Sequence, residues 1–109
     1  MNLEAMRDNA GQASALLKSL SNPSRLLVLC ALVNREHTVG ELEEITGLSQ
    51  SAISQHMARL RDEGIVSTRR QAQWIYYSMQ DDAVKSVLKT LHDIYCPDIE
   101  KRTYHPVMY

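Results

Sequence analysis

The sequence lacks most of what would mark a membrane protein, a secreted scaffold or a catalyst. No stretch approaches the roughly 18 consecutive apolar residues that a membrane-spanning helix requires, so no membrane partner is expected. Residues Met1 to Ala10 carry acids and amides where a secretory leader needs an apolar run, and a cytoplasmic location is the expectation. The two cysteines, Cys30 and Cys96, lie far apart and form neither a CxxC nor a CxC pair. That argues against a zinc knuckle or a disulfide scaffold and for thiols that are reduced at rest. A Gly-rich phosphate loop, a nucleophile elbow and paired catalytic carboxylates are missing too, so neither enzymatic activity nor a cofactor is expected.

Internal repeats, low-complexity tracts and Gly/Ser linkers are also absent, and 109 residues suit one compact domain. The expected organisation is a single domain over residues 1–97 and a weakly ordered tail, 98–109. A surplus of positive charge is the last absence. Twelve Lys and Arg stand against 13 Asp and Glu, a net charge of -1, whereas nucleic-acid binders usually carry a basic patch. Distribution matters more than the sum. Acids collect from Glu36 to Glu44 and at Asp81, Asp82, Asp93 and Asp98, while Arg59, Arg61, Arg69 and Arg70 share one central segment, the candidate contact surface.

What is present is mostly helical. Leu3 to Leu20 is rich in Ala, Leu and Met and stops at Ser21-Asn22-Pro23, where Asn22 caps and Pro23 opens the next helix. That helix, Pro23 to Asn34, is apolar almost all round from Leu26 to Val33, which predicts a buried central position. Thr38 with Glu41 makes a capping box for a short third helix that points Leu42 and Ile45 inward and ends at Gly47. Ser49 caps a fourth. At 100° per residue Ile53, Met57 and Leu60 face the core, Ser51, Gln55, Ala58 and Asp62 face away, and Ser54 and Arg59 flank the exposed face.

After Gly64, Ile65 to Arg70 and Trp74 to Met79 read as two strands around Gln71-Ala72-Gln73. Asp81 or Asp82 opens a last helix with a stripe of Val84, Val87, Leu88, Leu91, Ile94 and Tyr95, closed by Pro97. The fold class that results is mainly α with a small β-hairpin. It is a winged helix-turn-helix of about five helices and a two-stranded wing. The first and last helices offer more apolar surface than one small domain covers internally, so a homodimer is expected.

In such a fold the helix after the turn enters a DNA major groove. Ser49, Gln50, Ser51, Ser54 and Gln55 are short or amide side chains able to hydrogen-bond base edges. Arg59, Arg69 and Arg70 would hold phosphates, with Gln73 beside them at the tip of the wing. A merely solvated helix face normally carries Lys and Glu in i, i+4 pairs; this one does not. His56 borders the contact set, although at the edge of the inward face it reads first as a packed structural histidine. Ser49, Ser51 and Ser54 near His56 are explained by helix placement without a catalytic triad.

The run TVGELEEITGLSQSAISQHMARLRDEGIV, Thr38 to Val66, closely resembles the arsenic and metal repressor superfamily, ArsR/SmtB. The likeness extends upstream through LLKSLSNPSRLLVLCAL and downstream through the hairpin into the last helix. It implies a homodimer that binds double-stranded DNA at a palindromic operator and releases it on sensing an inducer. A metal inducer needs clustered Cys, His or carboxylates. The third helix has Val39-Gly40-Glu41-Leu42 where metal sensors of the family carry thiols, and His92 with Asp93 or His105 lacks the spacing of the family's zinc site; no metal ligands are assigned.

A cysteine in LLVLCAL is by composition a small core hydrophobe more often than a sensor. In family context, LLVLC together with His92-Asp93-Ile94-Tyr95-Cys96-Pro97 resembles the sulfide- and persulfide-responsive branch typified by BigR and HlyU. There the two cysteines, here Cys30 and Cys96, form the sensing dithiol and reactive sulfur species are the inducer. The alternatives are a metal-responsive or ligand-independent regulator with structural cysteines, and a protein-interaction module that reuses the fold without touching DNA.

Overall fold

The computed structural model describes residues 1–97; the expected tail, 98–109, lies outside the described residues. Five helices and three short strands follow one another as α1 (Leu3–Leu20), α2 (Pro23–Asn34), β1 (His37–Thr38), α3 (Val39–Thr46), α4 (Gln50–Asp62), β2 (Val66–Gln71), β3 (Trp74–Met79) and α5 (Asp82–Tyr95). Among the described residues no single helix is long and apolar enough to cross a membrane.

Local chemistry sets the boundaries. Asn2, Asn22, Thr38, Ser49 and Asp81 each accept a backbone N–H of the first turn that follows, which satisfies donors that have no partner inside the helix. At α3 the box closes both ways, Thr38 Oγ1 accepting from the Glu41 N–H at 3.2 Å and Glu41 Oε1 accepting from the Thr38 N–H at 2.9 Å. Gly47 (φ 75°) and Gly64 (φ 76°) end α3 and the turn after α4 in the left-handed region, where a Cβ would be strained.

The core is one cluster drawn chiefly from α2, α3, α4, β2 and α5. Leu29, Leu32, Leu42, Ile53, Met57, Leu60, Val66, Val84 and Leu88 are buried in it, and α1 adds only Leu20. Each such side chain contributes about 1.5–3 kcal/mol of transfer free energy. Ile65, expected to begin a strand, is instead buried between α4 and β2. Its N–H donates to the Leu60 carbonyl at 2.9 Å, and its carbonyl accepts from the Gln80 N–H at 2.9 Å.

Two inward assignments are corrected. Ile45 is 54% exposed, because the eight-residue α3 offers the core little more than one slot, filled by Leu42, with Val39 and Leu48 packing at its ends. On α2, Leu27 is 54% exposed and Cys30 is exposed too, both lying outside the buried row of Val28, Leu29 and Leu32. The wing also gains a strand that periodicity did not reveal. Two residues, His37 and Thr38, pair with Tyr77 and Tyr76, making an antiparallel sheet of order β1-β3-β2. A two-residue run is too short for alternation to show.

Candidate DNA-binding face and thiol cleft

The α3–turn–α4 unit presents a polar face. Gln55 is exposed and makes no side-chain hydrogen bond among the described residues, whereas half-buried Ser54 accepts from Gln50 Nε2 at 3.1 Å. Ser49 Oγ caps α4 through the Ala52 N–H at 3.2 Å and lies 3.3 Å from Ser51 Oγ. Of the expected readout set, Gln55 is the exposed side chain that carries no side-chain hydrogen bond among the described residues. His56 sits half-buried, and burial, followed by the charges of Arg25 and Arg59, lowers its pKa. A histidine that resists protonation there favours the neutral, packed reading.

The expected phosphate ligands divide. Arg70 and Gln73 are exposed on the wing, and Arg70 makes no side-chain hydrogen bond or ion pair among the described residues. Arg59 donates to Glu63 at 3.2 Å. Arg69 donates from all three nitrogens: Nε to both Glu36 oxygens at 2.9 Å, Nη2 to Glu36, and Nη1 to Gln71 at 2.8 Å. Its guanidinium lies 4.4 Å from the centroid of the Tyr76 ring.

The register explains the contrast. Partners across an antiparallel pair share a face and successive residues alternate. Val66, Thr68 and Arg70 lie opposite Met79, Tyr77 and Ile75 on the face that continues the core, and Ser67, Arg69 and Gln71 lie opposite Ser78, Tyr76 and Trp74 on the outer face.

Sequence reasoning missed the acids and the buried cation that organise this region. Glu36 pairs with Arg69 across 33 positions and Glu63 with Ser19 across 44, so no local spacing signals either contact. Arg25 is buried on α2, and its Nη1 donates at 2.8 Å to the Ser19 carbonyl at the C-terminal end of α1, where a cation complements the helix dipole. His37, buried in β1, has Nδ1 3.6 Å from Glu41 Oε1, too far for a hydrogen bond.

Cys30 lies exposed on α2, and Cys96 is the half-buried residue that follows α5. Cys96 caps α5, its N–H donating to the His92 carbonyl at 2.7 Å. A cleft of about 290 Å³ separates α2 from α5 beside Cys30, lined by Val33, Leu88, Lys89, His92 and Asp93. Partial burial pushes the Cys30 thiol above its ordinary pKa, and Cys96 pushes it in the same direction. Among the described residues no three His, Cys, Asp or Glu side chains gather as a metal site. His92 and Asp93 make only an exposed contact at 3.9 Å.

Comparison with known proteins places this geometry. The sequence model described as bacterial regulatory protein, arsR family, matches residues 22–68. The HTH-type transcriptional regulator YgaV of Escherichia coli K12 is 51% identical over 96 residues, covering 87% of this chain and 97% of that protein. The transcriptional activator HlyU of Vibrio cholerae is 46% identical over 88% of this chain and 89% of its own length. The crystal structure of the transcriptional repressor BigR from Xylella fastidiosa superposes with a TM-score of 0.84 at 40% identity, covering 88% of this chain and 98% of that one. With its winged helix and its match to these regulators, the chain belongs to the ArsR family of bacterial regulatory proteins, on the branch of BigR and HlyU, and is a DNA-binding transcriptional regulator rather than an enzyme.

Proposed function

We propose that residues 1–97 form a homodimeric repressor that releases a palindromic operator when a sulfane-sulfur donor bridges Cys30 and Cys96. The observation that carries this reading is that Cys30 borders the α2–α5 cleft, which is also lined by His92 and Asp93 from the last turn of α5, the turn that Cys96 caps. Two facing α4 helices would enter successive major grooves, Gln55 reading bases and Arg70 holding phosphate from the wing. The exposed Leu3, Met6 and Leu17 of α1 and Ile94 and Tyr95 of α5 supply the apolar surface that a second copy would cover.

The sulfur chemistry balances without a metal. Each thiol reacts with one molecule of hydrogen disulfide, the thiolate attacking one donor sulfur and breaking the donor's S–S bond. The cysteine becomes a persulfide, and the other donor sulfur leaves as hydrogen sulfide, taking the thiol proton with it. The two persulfides then condense: the terminal sulfur of one attacks the cysteine sulfur of the other and breaks its S–S bond, the displaced terminal sulfur leaves as a third molecule of hydrogen sulfide carrying both remaining protons, and three sulfurs stay in the bridge. A trisulfide spans a wider gap than a disulfide, which needs Cα atoms within about 7 Å. Because Cys30 lies on α2 and Cys96 caps α5, a bridge pulls the last helix against the core helix that supports α4.

Mass spectrometry of donor-treated protein tests the reading. A bridge between the Cys30 and Cys96 peptides with added sulfur supports it, and unlinked persulfides on both cysteines contradict it. Light scattering at micromolar concentration checks the dimer, and a monomer contradicts it.

A further inference from the structure

We propose that the Glu36–Arg69 pair is a strap that positions the wing, with Arg69 acting as a positioning residue and not as a phosphate ligand. The inference deepens the DNA-binding reading and rests on it, since it requires the tip of the wing to touch DNA.

β3 is the middle strand, with β2 on one side and the two-residue β1 on the other. Thr38, Tyr76 and Arg69 stand opposite one another across the three strands, and Thr38 is the last residue of β1 on the side toward the tip. Beyond that rung the wing is a lone two-stranded ribbon, Arg70 to Ile75, a form with little stability of its own. At this point Arg69 reaches from β2 across the outer face of β3 to Glu36, which immediately precedes β1. The Tyr76 ring supports the guanidinium from β3. The strap thus runs from β2 over the central strand to the residue that precedes β1, anchoring Arg69 at the root of the unsupported ribbon.

The chemistry of Arg69 fits a brace better than a free cation. All three of its nitrogens already donate, two to Glu36 and one to Gln71, in the forked geometry that suits a carboxylate. The same pair holds the Glu36 carboxyl below the usual carboxylate range, so the strap stays charged at neutral pH. Arg70, the next residue, lies on the opposite face and has no such partner among the described residues. What the strap positions is the tip, with Arg70, Gln73 and Trp74.

The two accounts predict opposite signs. If Arg69 held a DNA phosphate, Glu36 would merely compete with that phosphate, and Glu36→Gln would tighten binding. If the pair braces the wing, Glu36→Gln loosens the tip and weakens operator binding although it removes a negative charge. Operator affinity, its salt dependence and the emission anisotropy of Trp74, the only tryptophan in the chain, are measured for wild type, Glu36→Gln, Arg69→Lys and each combined with Arg70→Ala. The duplex is the tightest that wild type selects from a random pool, and thermal melts confirm folding.

The expected result is an affinity loss of about five- to tenfold at roughly 0.1 M salt for Glu36→Gln, with a log–log salt slope shallower by about 0.9, the signature of one lost phosphate contact. Arg69→Lys, which keeps the charge but not the fork, should behave alike. Trp74 should become more mobile in both, and Arg70→Ala should cost little more in either background. Glu36→Gln binding as tightly as wild type or tighter, or Arg69→Lys matching wild type, overturns the strap while leaving DNA binding intact. A wild-type chain that binds no duplex overturns both.

Discussion

Ser19, near the end of α1, donates its hydroxyl at 2.6 Å to Glu63, the residue that closes α4. Glu63 also accepts from Arg59 at 3.2 Å, and the carbonyl of Ser19 accepts from buried Arg25. The corner between α1 and α2 is thereby tied to the C-terminal end of the helix that faces DNA. The Ser19 hydrogen bond, then Arg59, lowers the Glu63 pKa.

A carboxylate whose folded pKa is depressed stabilises the native state above its unfolded value, near 4.3, and loses that contribution as pH falls through the folded value. Glu63→Gln should therefore cost about 0.5–1.5 kcal/mol at neutral pH, the usual net worth of one hydrogen bond. The deficit should shrink as pH falls below about 4, where wild type loses its advantage. Urea denaturation at several pH values checks both; a deficit unchanged at acid pH contradicts the ionised hydrogen bond.

Readout by α4 should concentrate at Gln55. Gln55→Ala is expected to reduce discrimination between the selected operator and random duplex by about 1–3 kcal/mol. Arg70→Ala should weaken both duplexes alike and flatten the salt slope by about 0.9. Competition binding measures the ratio, and an unchanged ratio in Gln55→Ala would place the recognition face elsewhere.

The fold was legible where signals are local. Caps at Asn22, Thr38, Ser49 and Asp81, the stops at Gly47 and Gly64, and the inward Ile53-Met57-Leu60 row each depend on residues within a turn or two. β1 was not legible, because two residues carry no period and pair only with a strand far along the chain. Glu36 was legible as part of an acidic run but not as the partner of Arg69. The exposure of Cys30 was hidden for a different reason: α2 is apolar all round, and composition does not say which side its own chain leaves uncovered.

Thiol reactivity should follow the raised Cys30 pKa. A thiol pushed above its ordinary value holds little thiolate at neutral pH, and the thiolate is the nucleophile. Alkylation of Cys30 by iodoacetamide should be slower at pH 7 than that of a free cysteine. Its rate should climb about tenfold per pH unit past the ordinary thiol value, near 8.5. Replacing Cys96 by Ser removes a group that raises the Cys30 pKa and should speed the reaction. A rate that levels off near pH 7 would contradict the assignment.

Operator titration of wild type, Cys30→Ser and Cys96→Ser, each with and without an inorganic polysulfide donor, tests the central claim most directly. A switch that moves a population from bound to released needs several kcal/mol of difference between the two states, so the donor should weaken wild-type binding at least a hundredfold. The account predicts release for wild type and retention for both variants. Donor-induced release in both variants would contradict the dithiol mechanism.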